Sequence, residues 1–121
     1  MKTLNLTQHN ATAEQTAVGV VEPADKGAVK SLLTFAAAPS VDEIRQRADA
    51  LAGIAEAEDA PAAMIGGAGY LMPALERALR VRGIRPLHSF TERRSVETEK
   101  DGEVVKTAIF VHVGWVETPA E

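Results

Sequence analysis

Pro61-Ala62-Ala63-Met64-Ile65 is a short apolar run with no charge, and it leads straight into Gly66-Gly67-Ala68-Gly69. Such a run shows no polar alternation. It suits a strand buried on both faces, as in a parallel sheet covered by helices. That requirement sets the frame for the rest of the chain, because parallel neighbours need crossover connections, usually helical.

The flanking patterns supply both. Leu4 and Leu6 alternate with Thr3, Asn5 and Thr7 in a first strand over 2–7. Thr12-Ala13-Glu14-Gln15 fits a capping box and predicts a short helix ending near Gly19. A second short strand is expected at 19–22, then a helix over 24–34 with Pro23 at its start, burying Val29, Leu32 and Leu33. Ser40-Val41-Asp42-Glu43 opens a longer helix to about Glu56, with Val41, Ile44, Ala48, Leu51 and Ala55 as its apolar stripe. After the glycines, Leu71, Leu75, Ala78 and Leu79 mark another helix, closed by Gly83. A strand over 84–90 follows, and then a separate hairpin. Its Asp101-Gly102 turn pairs Lys100 with Glu103 and Glu97 with Lys106.

Strand–helix alternation therefore predicts a single α/β domain over 1–117, with a mostly parallel sheet flanked by helices and a C-terminal antiparallel hairpin. Residues 118–121 are expected to fray. The 121-residue length fits one domain. Hydrophobic residues at 45% and charged residues at 25% are ordinary for a globular chain. The absence of Cys excludes a disulfide scaffold, a Cys-ligated zinc finger and a thiol nucleophile. No apolar run approaches the ~20 residues of a membrane span. The first residues, Met1-Lys2-Thr3-Leu4, lack a signal-peptide core. A cytoplasmic protein with no membrane partner is expected.

Charge is distributed unevenly. Residues 1–60 carry five Lys/Arg against nine Asp/Glu, whereas 61–121 carry eight of each. Residues 77–94 hold six Arg and only Glu92 against them. An acidic chain is unsuited to coating long DNA or RNA. The Arg cluster is either a solvated surface or a site for a small anion.

Ligands of open α/β sheets bind beyond the C-terminal strand ends, near a switch point. Three segments are candidates there. The first is Thr7, Gln8, His9 and Asn10. The second is Gly66, Gly67, Gly69 and Tyr70, where glycine permits close backbone approach. The third is Ser89, Thr91, Arg93 and Arg94. The glycines equally suit a tight strand–helix turn. His88 and His112 are expected to be structural, packed at the sheet. Three unpaired His and no carboxylate cluster predict no metal site and no cofactor.

The opening Leu4-Asn5-Leu6-Thr7-Gln8-His9-Asn10-Ala11-Thr12-Ala13-Glu14-Gln15, the turn after Met64-Ile65, and the stretch from Gly83 to Glu97 resemble small CRISPR-associated proteins related to the CARF domain, several of them similar to ring nucleases. Phe110-Val111-His112-Val113 completes the pattern. The match is weak between 18 and 60. The resemblance implies a Rossmann-like, CARF-like fold and a homodimer that binds a cyclic oligoadenylate, chiefly cyclic tetra-adenylate. It implies metal-independent cleavage by the ribose 2′-OH, which would switch off type III CRISPR signalling. His9, Ser89 and Arg93 would then be catalytic. Thr7, Gln8, Asn10, Gly66, Gly67, Gly69, Tyr70, Thr91 and Arg94 would hold the ligand. The sequence departs from the family where Gly114-Trp115-Val116-Glu117 replaces a basic final segment. A binding-only sensor or sponge fits the same residues, and a small α/β protein-interaction module fits the Arg-rich edge.

Overall fold

The computed structural model describes residues 1–120. Its elements run β1 (Thr3–Leu6), α1 (Ala13–Ala17), β2 (Val20–Val21), α2 (Lys26–Leu33), α3 (Val41–Ala57), β3 (Ala62–Ile65), α4 (Met72–Arg80), β4 (Arg85–Lys100) and β5 (Glu103–Val116). The strands form one sheet in the order β2-β1-β3-β4-β5. β1 is parallel to β2 and β3, and β3 is parallel to β4. Among the described residues only β4 and β5 are antiparallel. This is the mixed α/β architecture that the alternation predicts, and β3 is buried throughout.

Local signals explain most boundaries. Thr12 and Gln15 make both halves of the capping box. Ser40 accepts from Glu43 N at 3.1 Å and starts α3. α2 begins at Lys26, two residues later than expected. The Asp25 carboxylate accepts from Ala28 N at 3.0 Å, so Asp25 rather than Pro23 sets the start.

The core lies between one face of the sheet and α2, α3 and α4. Leu4, Leu6, Ala63 and Ile65 meet Val29, Leu33, Leu51, Leu75 and Leu79 there. Val41 stands outside it at 63% exposure, so the α3 stripe begins at Ile44. The period-two alternation of β1 suits a strand with one polar face. Instead Thr3 and Asn5 are fully buried. β1 is an interior strand covered on both sides, so its polar residues must find partners inside the protein.

β4 differs most from expectation. It does not stop near Phe90 but runs unbroken into the hairpin. No Gly or Pro lies between Leu87 and Lys100 to end it. The chain absorbs the transition as a bulge. Phe90 faces Gly114 and Thr91 faces His112, which leaves Val113 unopposed. The register set by the turn holds, with Glu97 opposite Lys106 and Lys100 opposite Glu103. Asp101 and Gly102 both take positive φ, 55° and 79°, as a type I′ turn requires. Beyond Thr91 and Val111 the two strands project as a ribbon with almost every residue exposed.

The C-terminal segment is held at Thr118. Arg80 Nη2 donates to its carbonyl at 2.7 Å, and its hydroxyl donates to Glu76 at 2.6 Å. Among the described residues no helix is long and apolar enough to cross a membrane.

Candidate functional site

The chain passes from β1 to β2 on one side and later returns to β3 on the other. The gap between β1 and β3 is therefore the switch point of the sheet. A cleft of about 520 Å³ opens there. Thr7, Gln8, His9 and Asn10 form one wall, and Thr12, the N-cap of α1, and Gln15 within it continue the wall. Met64, Ile65, Gly66 and Gly67 form the floor, and His88 and Ser89 of β4 close the far side.

The wall after β1 is held by buried Asn5. Its Nδ2 donates to His9 O at 2.7 Å and to Glu22 Oε1 at 3.0 Å. Its Oδ1 accepts from Thr7 N at 3.0 Å and from Thr7 Oγ1 at 2.6 Å. Lys26 Nζ donates to Thr7 O at 2.8 Å and to His9 O at 3.0 Å. Glu22 accepts from Ala11 N at 2.7 Å and from Lys26 at 3.1 Å. Burial pushes the Glu22 carboxyl up. The bond from Ala11, the Lys26 ammonium and the bond from Asn5 outweigh burial and hold it below its ordinary value. One neutral amide and one ion pair thus shape the loop from both ends.

On the floor, Gly67 has φ +136°, a conformation that only glycine adopts freely. A side chain at Gly69 would meet open space. The turn's conformational demand therefore sits at Gly67.

The far side carries the chemistry. Ser89 Oγ lies 2.6 Å from His112 Nδ1 and accepts from Gln15 Nε2 at 3.2 Å. Gln15 supplies one half of the capping box, accepting from Thr12 N at 3.0 Å, so one side chain both helps start α1 and positions the serine. His112 is 7% exposed, and its ring packs against Trp115 at 4.4 Å. A hydroxyl held against a nearly buried imidazole is a nucleophile–base geometry. His88 points to the opposite face of β4. Its Nε2 lies 2.8 Å from Glu76, which also accepts from Thr118. Burial pushes the Glu76 carboxyl up. Bonds from Thr118 and His88, with the His88 and Arg80 charges, outweigh it and hold the carboxyl low.

The structure thus gathers Thr7, Gln8, His9, Asn10, Gly66, Gly67 and Ser89 at one cleft. It does not bring Gly69, Tyr70, Thr91, Arg93 or Arg94 to that lining. Tyr70 instead packs edge-on against Phe35 at 5.4 Å, and Arg47 stacks on the other ring at 4.2 Å. Thr91, Arg93 and Arg94 stand exposed on β4. Arg94 reaches Glu92 at 3.4 Å. Among the described residues no three His, Asp or Glu gather as metal ligands.

From the sequence His112 and His88 read as packing residues and Gln15 as no more than a cap. A signal for His112 was present. The Asp101-Gly102 register sets it opposite Thr91, on the face that Ser89 shares two residues earlier.

No curated protein and no solved structure matches this chain. The model of the uncharacterized protein MJ1673 family matches residues 1–116, and the chain belongs to that family.

Proposed function

We propose that the switch-point cleft binds a cyclic oligoadenylate, with cyclic tetra-adenylate the first candidate, and cleaves it, switching off type III CRISPR signalling. On this reading the fold is a Rossmann-like, CARF-like variant acting as a homodimer in the cytoplasm. The Ser89–His112 contact beside a glycine floor carries the proposal. A ribose 2′-OH attacks the adjoining phosphorus, so an O2′–P bond forms as the P–O5′ bond breaks. Ser89 Oγ takes the 2′ proton as it passes its own to His112 Nδ1. The leaving 5′-oxygen takes a proton from His9. Gly66 and Gly67 present no side chain to keep the phosphate away. The products are a 2′,3′-cyclic phosphate and a 5′-hydroxyl on a linear chain. The cleft geometry supports no contact from Arg93 or Arg94 within one copy, so those residues act at most on the approach of the anion.

One observation favours binding without cleavage. Among the described residues His112 packs on Trp115 and no carboxylate is bonded to its ring, so the imidazole lacks the third group that orients the base in a hydroxyl–imidazole–carboxylate triad.

The test is incubation with cyclic tetra-adenylate in EDTA, followed by chromatography. Linear products that fall at least ~100-fold in Ser89→Ala and His112→Ala support the enzyme, the scale of lost acid–base catalysis. Retained but intact ring supports the sponge. No binding of any cyclic oligoadenylate overturns both.

A further inference from the structure

β5 is the outer strand of the sheet, and its free edge is long. From Thr107 to Val116 it holds no Lys, Arg, Asp or Glu. Proteins usually protect such an edge with charge, Pro or brevity, because its unpaired backbone groups recruit another strand. The ribbon also lacks a third strand, and an isolated two-stranded hairpin is marginal in water. Phe110 is 66% exposed and Ile109 42%. These observations call for a strand against β5.

We propose that this strand is β5 of a second copy, paired antiparallel about a two-fold axis through Val111. The occupant follows from the complementarity of the edge with itself. Opposed residues in a ladder share a face, and the one-residue bulge at Val113 shifts that alternation. With Val111 on the axis, every opposed pair keeps its face. Phe110 meets His112 of the second copy, and Ile109 meets Gly114. Ala108, the smallest side chain of the run, meets Trp115, the largest. Lys106 meets Glu117, so opposite charges close both ends of the uncharged stretch. Lys106 also lies 3.8 Å from Glu97 in its own hairpin, and Glu117 lies 2.8 Å from Arg85, so each end becomes an alternating charge network. A two-fold pairing of this kind is closed and leaves no free β5 edge for further copies. The ribbon becomes four-stranded.

The inference gives the homodimer of the ligand reading its interface and rests on that reading, while its test uses the protein alone, so a dimer joined elsewhere overturns the β5 pairing and leaves the ligand reading standing. Light scattering after size exclusion should give twice the 12.9 kDa chain mass. Lys106→Glu sets like charges opposite each other at both ends and should weaken the dimer ~10-fold or more. Its far-UV spectrum should be unchanged and its urea midpoint should fall only slightly, because Lys106 is exposed and its one partner within the hairpin is Glu97 at 3.8 Å. The chain has no Cys, so any disulfide joins two copies. Val111→Cys should cross-link under mild oxidation, and Thr98→Cys near the turn should not. A monomer at ~100 µM overturns the proposal, since a pairing weaker than that is too feeble to protect the edge. So does an open-ended series of larger species. A dimer that cross-links through Thr98→Cys and not Val111→Cys overturns it as well, in favour of ribbons stacked face to face.

Discussion

Replacing Asn5 with Ala tests whether the cleft wall rests on this buried amide. The side chain makes four bonds, to His9 O, Glu22, Thr7 N and Thr7 Oγ1. Three are neutral, at about 1 kcal/mol each, and the bond to Glu22 is charge-assisted at about 1.5–2 kcal/mol. Three of the four partners keep substitutes. His9 O and Glu22 still accept from Lys26, and Thr7 Oγ1 still donates to His9 O at 3.1 Å. Thr7 N–H loses its acceptor outright. The expected net loss is therefore about 2–3 kcal/mol, below the sum of the four bonds. For a domain of this size that corresponds to a fall in Tm of about 8–12 °C. Urea denaturation should show a lower midpoint with an unchanged slope. Native-state hydrogen exchange should show the Thr7 amide losing protection beyond the global change. Asn5→Asp keeps the acceptor but sets a second carboxylate beside Glu22, so it should be less stable than Asn5→Ala at pH 7. A loss under about 1 kcal/mol for Asn5→Ala, with Thr7 still protected, would refute the role given to Asn5.

Acid should weaken the fold through Glu22 and Glu76. Both carboxyls are held below their ordinary values when folded, so the unfolded chain binds protons first as pH falls. Their contribution is full above the ordinary carboxylate range and disappears as pH drops through the folded values. The urea midpoint should fall on going from about pH 6 to pH 4, and Glu22→Gln should flatten that slope. Gly67→Ala should cost about 1–3 kcal/mol because its φ of +136° excludes a side chain, whereas Gly69→Ala should fall within about 0.5 kcal/mol. Equal midpoints for the two glycine variants in thermal melts would contradict the strain placed at Gly67.

Much of the scaffold was legible in the sequence, because its signals are local. Thr12, Ser40 and Gly83 mark helix ends through bonds and dihedral angles made within a few residues. The 62–65 strand announces itself by lacking any residue that water would hold. Half of the cleft was legible for the same reason, since residues following β1 and β3 must lie at the strand ends. The rest was not. Whether Thr91, Arg93 and Arg94 return to that rim depends on where β4 leads beyond the end of β3, and although the lack of Gly or Pro after Leu87 lets the strand run on, its direction is set by sheet packing. Tyr70 follows the glycine turn, yet it is drawn away by Phe35, thirty-five residues earlier in the chain.

Periodicity, caps and turn residues determined the element types, the mostly parallel sheet and the hairpin register, since each depends on backbone preferences within a few positions. Tertiary structure alone decided which polar residues carry the site. Asn5 looked like the outward residue of an amphipathic strand and became a buried pin once both faces of β1 were covered. His112 looked like a packing residue and became the partner of Ser89 across two strands, with Gln15 arriving from a third element. Such contacts join residues 23 and 74 positions apart. Their formation depends on how helices and strands pack, a long-range choice that no local run of sequence contains.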